Sequence, residues 1–372
     1  MIKLEHVTKI YPGQTEPAVN DLSLEVPDGE ICILVGPSGC GKTTTMKMVN
    51  RLIEPTSGKI YVEGQDVMQM DPIQLRRSIG YVIQEIGLFP HMTIAENIGT
   101  VPKLLGWDDA RIARRVDELL ELMGIEPAEY RDRYPRELSG GQQQRIGVAR
   151  AMAADPHVML MDEPFGAIDP ITRDRLQNEF LRLQQKIRKT IIFVTHDINE
   201  AIKMGDKIAI LNVGGILEQY GSPSEILSHP ANPFVEDFVG ADRALKWLNL
   251  VRVEEVMDQH PPLIFDTQSV REARQFMQER GLDFVYVIGA DRSLKGYVNA
   301  RDLEGQQGWV DAFLTPAAVS IQLGTSLRDT LSELLASDYR TACVVDEEQR
   351  VRGLIQLDAI QEALSARKGG ER

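Results

Sequence analysis

The stretch Gly36-Pro-Ser-Gly-Cys-Gly-Lys42-Thr43 constrains this chain more than any other. It fits the G-x-x-x-x-G-K-[ST] pattern, and its flanks suit it. The short apolar run Glu30-Ile-Cys-Ile-Leu-Val35 before it reads as a buried strand, and Thr44 to Leu52 after it reads as a helix. Gly36, Gly39 and Gly41 let the backbone turn its N–H groups inward around a polyphosphate, with Pro37, Ser38 and Cys40 completing the loop. The helix start, with Thr44 in its first turn, adds partial positive charge. Lys42 is placed to reach the β- and γ-phosphates, and the Thr43 hydroxyl to ligate Mg²⁺. The competing reading is a glycine-rich turn that binds nothing, and the strand before and helix after argue against it. These residues predict a nucleoside triphosphate site.

Composition narrows what such a site serves. A chain of 372 residues holds about two or three domains. A net charge of −14 offers no basic stripe to neutralise phosphates, so no nucleic-acid partner is expected. No apolar run approaches the roughly 18–20 residues that cross a bilayer. The start Met1-Ile-Lys-Leu-Glu-His has no signal-peptide core, which predicts a cytoplasmic location. Cys32, Cys40 and Cys343 lie far apart without metal-ligand spacing. Cys32 and Cys343 read as buried thiols, whereas Cys40, inside the loop, is expected to be open to alkylation when no nucleotide is bound.

In chain order, residues 2–26 alternate apolar and polar around the turn Tyr11-Pro-Gly and predict a hairpin-like start. Tyr11 either stacks on an adenine or packs at a strand end, and the local sequence does not choose. Residues 58–64 and Arg76 to Gln84 read as strands, the second ending in a glutamine suited to a metal-bound water or to a loop. From Ile94 to about Arg133 the pattern is helical, with Ile112, Val116, Leu119, Leu120 and Met123 on one face. In Leu138-Ser-Gly-Gly-Gln-Gln-Gln-Arg145, Ser139 can cap a helix whose first turn holds Gly140 and Gly141, followed by Gln142; such a stripped helix start is an anion-binding surface. The apolar strand His157 to Met161 ends in Asp162-Glu163, placing Asp162 beside a metal and Glu163 beside the γ-phosphate, able to orient an attacking water. A β-branched strand, Ile191 to Thr195, ends in His196, which either contacts the γ-phosphate or is structural. The preceding phosphate loop and Asp-Glu strand end favour the former.

Taken together, Tyr11, Gly36 to Thr43, Gln84, Leu138-Ser-Gly-Gly-Gln142, Asp162-Glu163, Asp169 and His196 resemble the ATPase subunit of ABC transporters over roughly residues 1–240. The resemblance implies an α/β fold with a mixed-sheet core plus a helical subdomain. It casts Tyr11 as the adenine-stacking aromatic, Asp162 as the metal-side carboxylate, Glu163 as general base and His196 as switch histidine. Gln84 becomes the sensor of Mg²⁺, water and membrane subunit. Asp169 stands in the family's dimer-contact loop, written here Gly166-Ala-Ile-Asp. The resemblance also implies a head-to-tail dimer in which Ser139 to Gln142 of one copy close on ATP held by the other, and a separate membrane permease.

After Gly240 comes a linker (241–251), then a repeat. An offset of 57 residues sets Val256-Met257 on Phe313-Leu314, Val270 on Leu327 and Gly296 on Gly353, with the strand Phe284 to Ile288 displaced by one against Ala342-Cys-Val-Val. Each copy reads strand–helix–strand–turn–strand–helix, too small to bury a core alone. The repeat resembles a tandem pair of CBS (α/β) domains, here 252–310 and 311–372. It departs from the nucleotide-binding pattern: Asn299 precedes Asp302 in the first copy, and Gln356 and Ala359 stand in the second with Asp358 out of step. A cyclic dinucleotide at the dimer cleft stays within the expectation.

A cassette followed by such a pair resembles the energy subunit of glycine betaine/carnitine/choline uptake systems, and Met46 to Pro55 and Ile86 to Met92 strengthen the match. That implies ATP and Mg²⁺ as ligands, a location on the cytoplasmic face of the membrane through the permease, and an extracytoplasmic solute-binding protein acting indirectly. The alternatives are an importer of an amino acid or polyamine, and a soluble ABC ATPase unconnected to transport. The tail after Leu364 is short and mixed in charge.

Overall fold

The alternating residues at the start form β1 (Ile2–Lys9) and β2 (Val19–Val26), an antiparallel pair with Ile2 opposite Val26 and Leu4 opposite Leu24. The structure is a computed structural model and describes residues 1–84, 87–166, 168–317, 319–337 and 340–368. Three stretches read above extend outside them: Ile86, Ala167 and residues 369–372. The chain divides into two compact units, Met1–Gly240 and Ala241–Arg372.

In the first unit, β3 (Ile31–Val35) is buried at every position and leads into α1 (Lys42–Val49). The strands β4 (Ser57–Val62) and β5 (Gln65–Asp66) complete a four-stranded sheet ordered β2-β1-β4-β5. Residues Arg76 to Ser78, read above as strand, instead end a helix, α2 (Pro72–Ser78), and the strand β6 spans only Ile79–Val82. The reason is local: the Asp71 side chain accepts from the amides of Ile73 and Gln74, with proline at the first helical position. The helical region is α3 (Ile94–Leu104), α4 (Asp109–Leu122), α5 (Pro127–Tyr130) and α6 (Gly140–Met152), with Val116, Leu119 and Leu120 buried as the spacing predicts.

The second sheet adds β7 (Val158–Asp162), β8 (Thr190–Val194), β9 (Lys207–Asn212) and β10 (Ile216–Gly221). Between and after them run α7 (Pro170–Ile187), α8 (Ile198–Met204), α9 (Pro223–Ser228) and α10 (Pro233–Val239). Its order is β10-β9-β3-β8-β7-β6, and all but β10 are parallel. Parallel strands covered on both faces need continuous apolar runs, which β3, β7 and β8 supply.

The second unit opens with α11 (Arg243–Leu248) and then repeats one motif: β11 (Leu263–Phe265), α12 (Val270–Arg280), β12 (Phe284–Ile288), β13 (Leu294–Asn299), against β14 (Ser320–Gln322), α13 (Leu327–Ala336), β15 (Thr341–Val345), β16 (Val351–Gln356) and α14 (Leu357–Lys368). The two sheets share one topology: a parallel first pair, an antiparallel second. Phe284 matches Thr341 without the one-residue displacement expected above. The bridges Asp258↔Leu354 and Tyr297↔Thr315 exchange places under the same offset, so the copies are related by a local two-fold. Each core takes its leading segment from across the repeat. Val253 and Leu248 pack with Ile321 and Leu327, whereas Val310 packs with Ile264 and Val270. The first copy lacks the closing helix read from its sequence: residues 301–305 are turn, and Gly305 and Gly308 hold positive φ there.

All three thiols are buried. Burial pushes Cys32 up to about 12 and raises Cys343 as well. Cys40 departs from its expected accessibility: it has no exposed surface and joins the core that β1 and β3 build. Iodoacetamide at neutral pH should therefore modify no thiol of the native chain and three after denaturation, read by mass spectrometry; a modified Cys40 in the native, nucleotide-free protein would contradict the packing.

Candidate active site

Because β6, β7, β8 and β3 run parallel, their C-terminal ends share one edge of the sheet, and the loops that follow them carry the polar residues picked out by sequence. The loop after β3 is shaped by glycine. A Cβ at Gly36 (φ +153) would lie 2.1 Å from the Leu211 carbonyl oxygen, and one at Gly41 (φ +90) 2.4 Å from that of Ala18. Lys42, 8% exposed, turns its ammonium back onto the carbonyls of Gly36 (2.8 Å) and Pro37 (3.0 Å). The Tyr11 hydroxyl lies 3.3 Å from Thr44 Oγ1, so the aromatic does reach the head of α1.

At the end of β7 the Asp162 carboxylate is buried and accepts from the Thr43 hydroxyl at 3.3 Å. Burial still pushes its pKa up, the Thr43 bond opposing the shift. A buried carboxylate balanced by one hydroxyl suits a hard divalent cation, which would supply the missing positive charge.

Glu163 follows with φ +47, a left-handed backbone that a glutamate seldom adopts. Three bonds hold it there. Its amide donates to Val194 O (3.0 Å), and its carbonyl accepts from Gln144 Nε2 (3.1 Å) and Gly166 N (3.1 Å). Its side chain sits between two partners: Oε1 lies 3.1 Å from His196 Nδ1, and Oε2 accepts from Gln84 Nε2 at 3.3 Å. Two residues that follow β6 and β8, Gln84 and His196, thus converge on the one carboxylate beside Asp162 at the end of β7. Asp169 does not join them; its side chain caps α7 by accepting from Thr172 N at 3.0 Å. Gln144 was not singled out from the sequence, since a buried glutamine within a helical run gives no periodic or glycine signal.

The remaining sequence-picked residues sit elsewhere. Ser139 caps α6 in a reciprocal box: its Oγ accepts from Gln142 N (3.3 Å), and Gln142 Oε1 accepts from Ser139 N (2.9 Å). Ser139 and Gly140 are exposed, and a Cβ at Gly140 would meet nothing within 4 Å. Among the described residues no hydrogen bond joins Ser139 to Gln142 to the phosphate loop of the same chain.

Known proteins share both units. A family model for the ABC transporter matches residues 19–166, and one for the CBS domain matches twice, at 253–304 and 310–366. The chain is 49% identical over 359 residues to the glycine betaine/carnitine/choline transport ATP-binding protein OpuCA of Bacillus subtilis (strain 168), covering 95% of this chain and 94% of that one. It is 48% identical over 370 residues to the osmoprotectant import ATP-binding protein OsmV of Salmonella typhimurium, covering 98% and 97%. Among solved structures, the dimeric MJ0796, described as a bacterial ABC transporter cassette, is 33% identical with a TM-score of 0.55, covering 60% of this chain and 99% of that one. A post-hydrolysis state of the same cassette, bound to ADP and Pi, matches equally. Relatives that share nearly half their residues along almost the whole length, and whose names describe transport ATP-binding proteins, leave one assignment: the chain belongs to the ABC transporter family of ATP-binding subunits and carries a C-terminal pair of CBS domains.

Proposed function

We propose that this chain hydrolyses ATP to power an importer of quaternary-amine compatible solutes such as glycine betaine, carnitine or choline, as a peripheral subunit on the cytoplasmic face of the membrane. The observation that carries the hydrolytic reading is the Glu163 carboxylate, held by His196 and Gln84 one residue beyond the buried Asp162. The relatives' printed names support the solute class.

In this reading the loop Gly36 to Thr43 binds the triphosphate through its amides, and Lys42 exchanges its two loop carbonyls for phosphate oxygens. Tyr11 packs on the adenine. Thr43, Asp162 and Gln84 would hold Mg²⁺, which when bound neutralises charge on the phosphates. Glu163 orients the attacking water and accepts its proton. His196 fixes the carboxylate's position. The open face of Gly140 is explained by a second copy, whose phosphate loop brings a triphosphate against Ser139 to Gln142; the dimeric cassettes among the relatives support this.

Residues 1–240 then form the motor, 241–251 a linker, and 252–310 with 311–372 a regulatory pair that reads ionic strength or a cyclic dinucleotide. The permease docks near Gln84, where a groove of about 340 Å³ is lined by Arg76, Arg77, Phe89, Thr100, Val101 and Arg150. The extracytoplasmic solute-binding protein acts through that permease. Co-purification with the permease, reconstitution and solute-stimulated ATPase assays test the reading. Glycine betaine, carnitine or choline should raise the rate several-fold; stimulation by an amino acid or polyamine alone would overturn the solute class.

A further inference from the structure

The bonds that hold the Glu163 backbone come from three places, and one of them has no structural need to be polar. The amide donates to Val194 O within the sheet, and Gly166 N reaches the carbonyl from the same loop. The third bond crosses from another part of the chain: Gln144 Nε2 donates to Glu163 O at 3.1 Å. Gln144 stands one turn past Gly140 in α6 and is 3% exposed. Its neighbours along the helix bond elsewhere, Gln143 to the Pro135 and Leu138 carbonyls and Arg145 to that of Met123.

Stability does not explain a glutamine at this position. Its Oε1 is buried and, among the described residues, meets no donor, so the side chain carries an unmet acceptor that an apolar residue of similar length would not. Glu163 O would stay satisfied without it, since Gly166 N remains. Packing between α6 and this loop is incomplete as well: a crevice of about 30 Å³ lies between Arg145 and Val148 of α6 and Pro164, Phe165 and Ile168. What the amide does supply is a directed link to the peptide of Glu163, whose φ is +47 and whose side chain reaches His196 and Gln84.

We infer that Gln144 is a positioning residue for hydrolysis: its amide fixes the Glu163 peptide against α6, so that the base is aimed by the helix whose start is offered to a second copy. The inference rests on the proposed roles of Glu163 and of Ser139 to Gln142. The link is short, one turn of helix and one hydrogen bond. Closure of the pair without it leaves the base unaimed, and a misplacement of about 1 Å is enough to cost most of the rate, because the carboxylate must stay within hydrogen-bond reach of the attacking water.

The test uses the full-length chain and measures steady-state ATPase kinetics with Mg-ATP, trinitrophenyl-ATP binding, thermal unfolding and, in the Glu163→Gln background, the ATP-bound dimer on size exclusion. Gln144→Met and Gln144→Leu remove the donor and keep most of the volume. Each should lower kcat by about tenfold or more, with KM and nucleotide affinity within about twofold. Melting temperature should hold or rise, since the unmet Oε1 goes with the amide. The Glu163→Gln dimer should still form when Gln144→Met is added. A residue that merely props the fold would lose rate and stability together. A kcat within about twofold of wild type in either folded variant overturns the inference. So does a melting temperature lowered by about 4 °C or more alongside the rate, loss of the dimer on adding Gln144→Met, or failure of both variants to fold. An inactive wild type, a Glu163→Gln chain with the wild-type rate, or one that by itself forms no dimer overturns the reading beneath the inference and the inference with it. An active wild type and a slow, dimeric Glu163→Gln beside indifferent Gln144 variants overturn only the inference.

Discussion

Glu163→Gln will bind ATP as the wild type does and turn it over roughly 10²–10⁴-fold more slowly, the range that removing a positioned general base covers. The substitution preserves shape, and the backbone at position 163 is held by bonds to Val194, Gln144 and Gly166 that no side-chain change touches. The unusual φ of +47 therefore persists, and His196 and Gln84 keep a polar partner in place. Only the capacity to accept a proton disappears, so the loss falls on kcat and spares affinity. With hydrolysis blocked, the ATP-bound pair has no route to reopen, and size-exclusion chromatography with Mg-ATP should show a dimer. A steady-state rate within about tenfold of wild type would remove Glu163 from the role of base.

Gly140→Asp should be nearly as damaging to hydrolysis and yet harmless to the fold. Position 140 opens α6, where an aspartate is favourable to the helix dipole by about 0.3–1 kcal/mol. A Cβ there meets nothing within 4 Å in this chain, so melting temperature should hold or rise slightly. The new carboxylate would nevertheless face the triphosphate of a second copy, and like-charge repulsion in a closing, water-poor contact should cost roughly a hundredfold or more in steady-state rate. Trinitrophenyl-ATP binding by the single chain should be unchanged, because Lys42 and the phosphate loop lie on another element. A variant with normal hydrolysis would show that the helix start never meets nucleotide, and the paired arrangement would fall with it.

These two residues differ in how they could be found. Gly140 belongs to a short pattern in which every position has a local reason: a hydroxyl to cap, glycines to clear the surface, a glutamine to complete the box. Glu163 was placed by its neighbour Asp162 at a strand end, although its left-handed backbone is a product of contacts from β8 and α6. The helix that ends at Arg76 to Ser78, where a strand is expected, has a local cause of another kind, since Asp71 and Pro72 mark a helix start in the sequence itself. The first CBS copy lacks the closing helix that the repeat predicts, and Gly305 and Gly308 hold positive φ there.

The linear order of residues was enough for whatever depends on near neighbours and on period: the phosphate loop, the capped signature helix, the buried parallel strands and the 57-residue repeat. Tertiary structure alone decided that Cys40 is sealed, that Gln144 pins Glu163, that the CBS cores exchange their leading segments, and that Gln177 ties α7 to Glu200 of α8. The physical reason is range. Glycine torsions, caps and apolar periodicity act within a few residues and leave a mark in composition, whereas a hydrogen bond between positions 177 and 200, or the closing of a core over one sulfur, exists only after distant segments have been packed together.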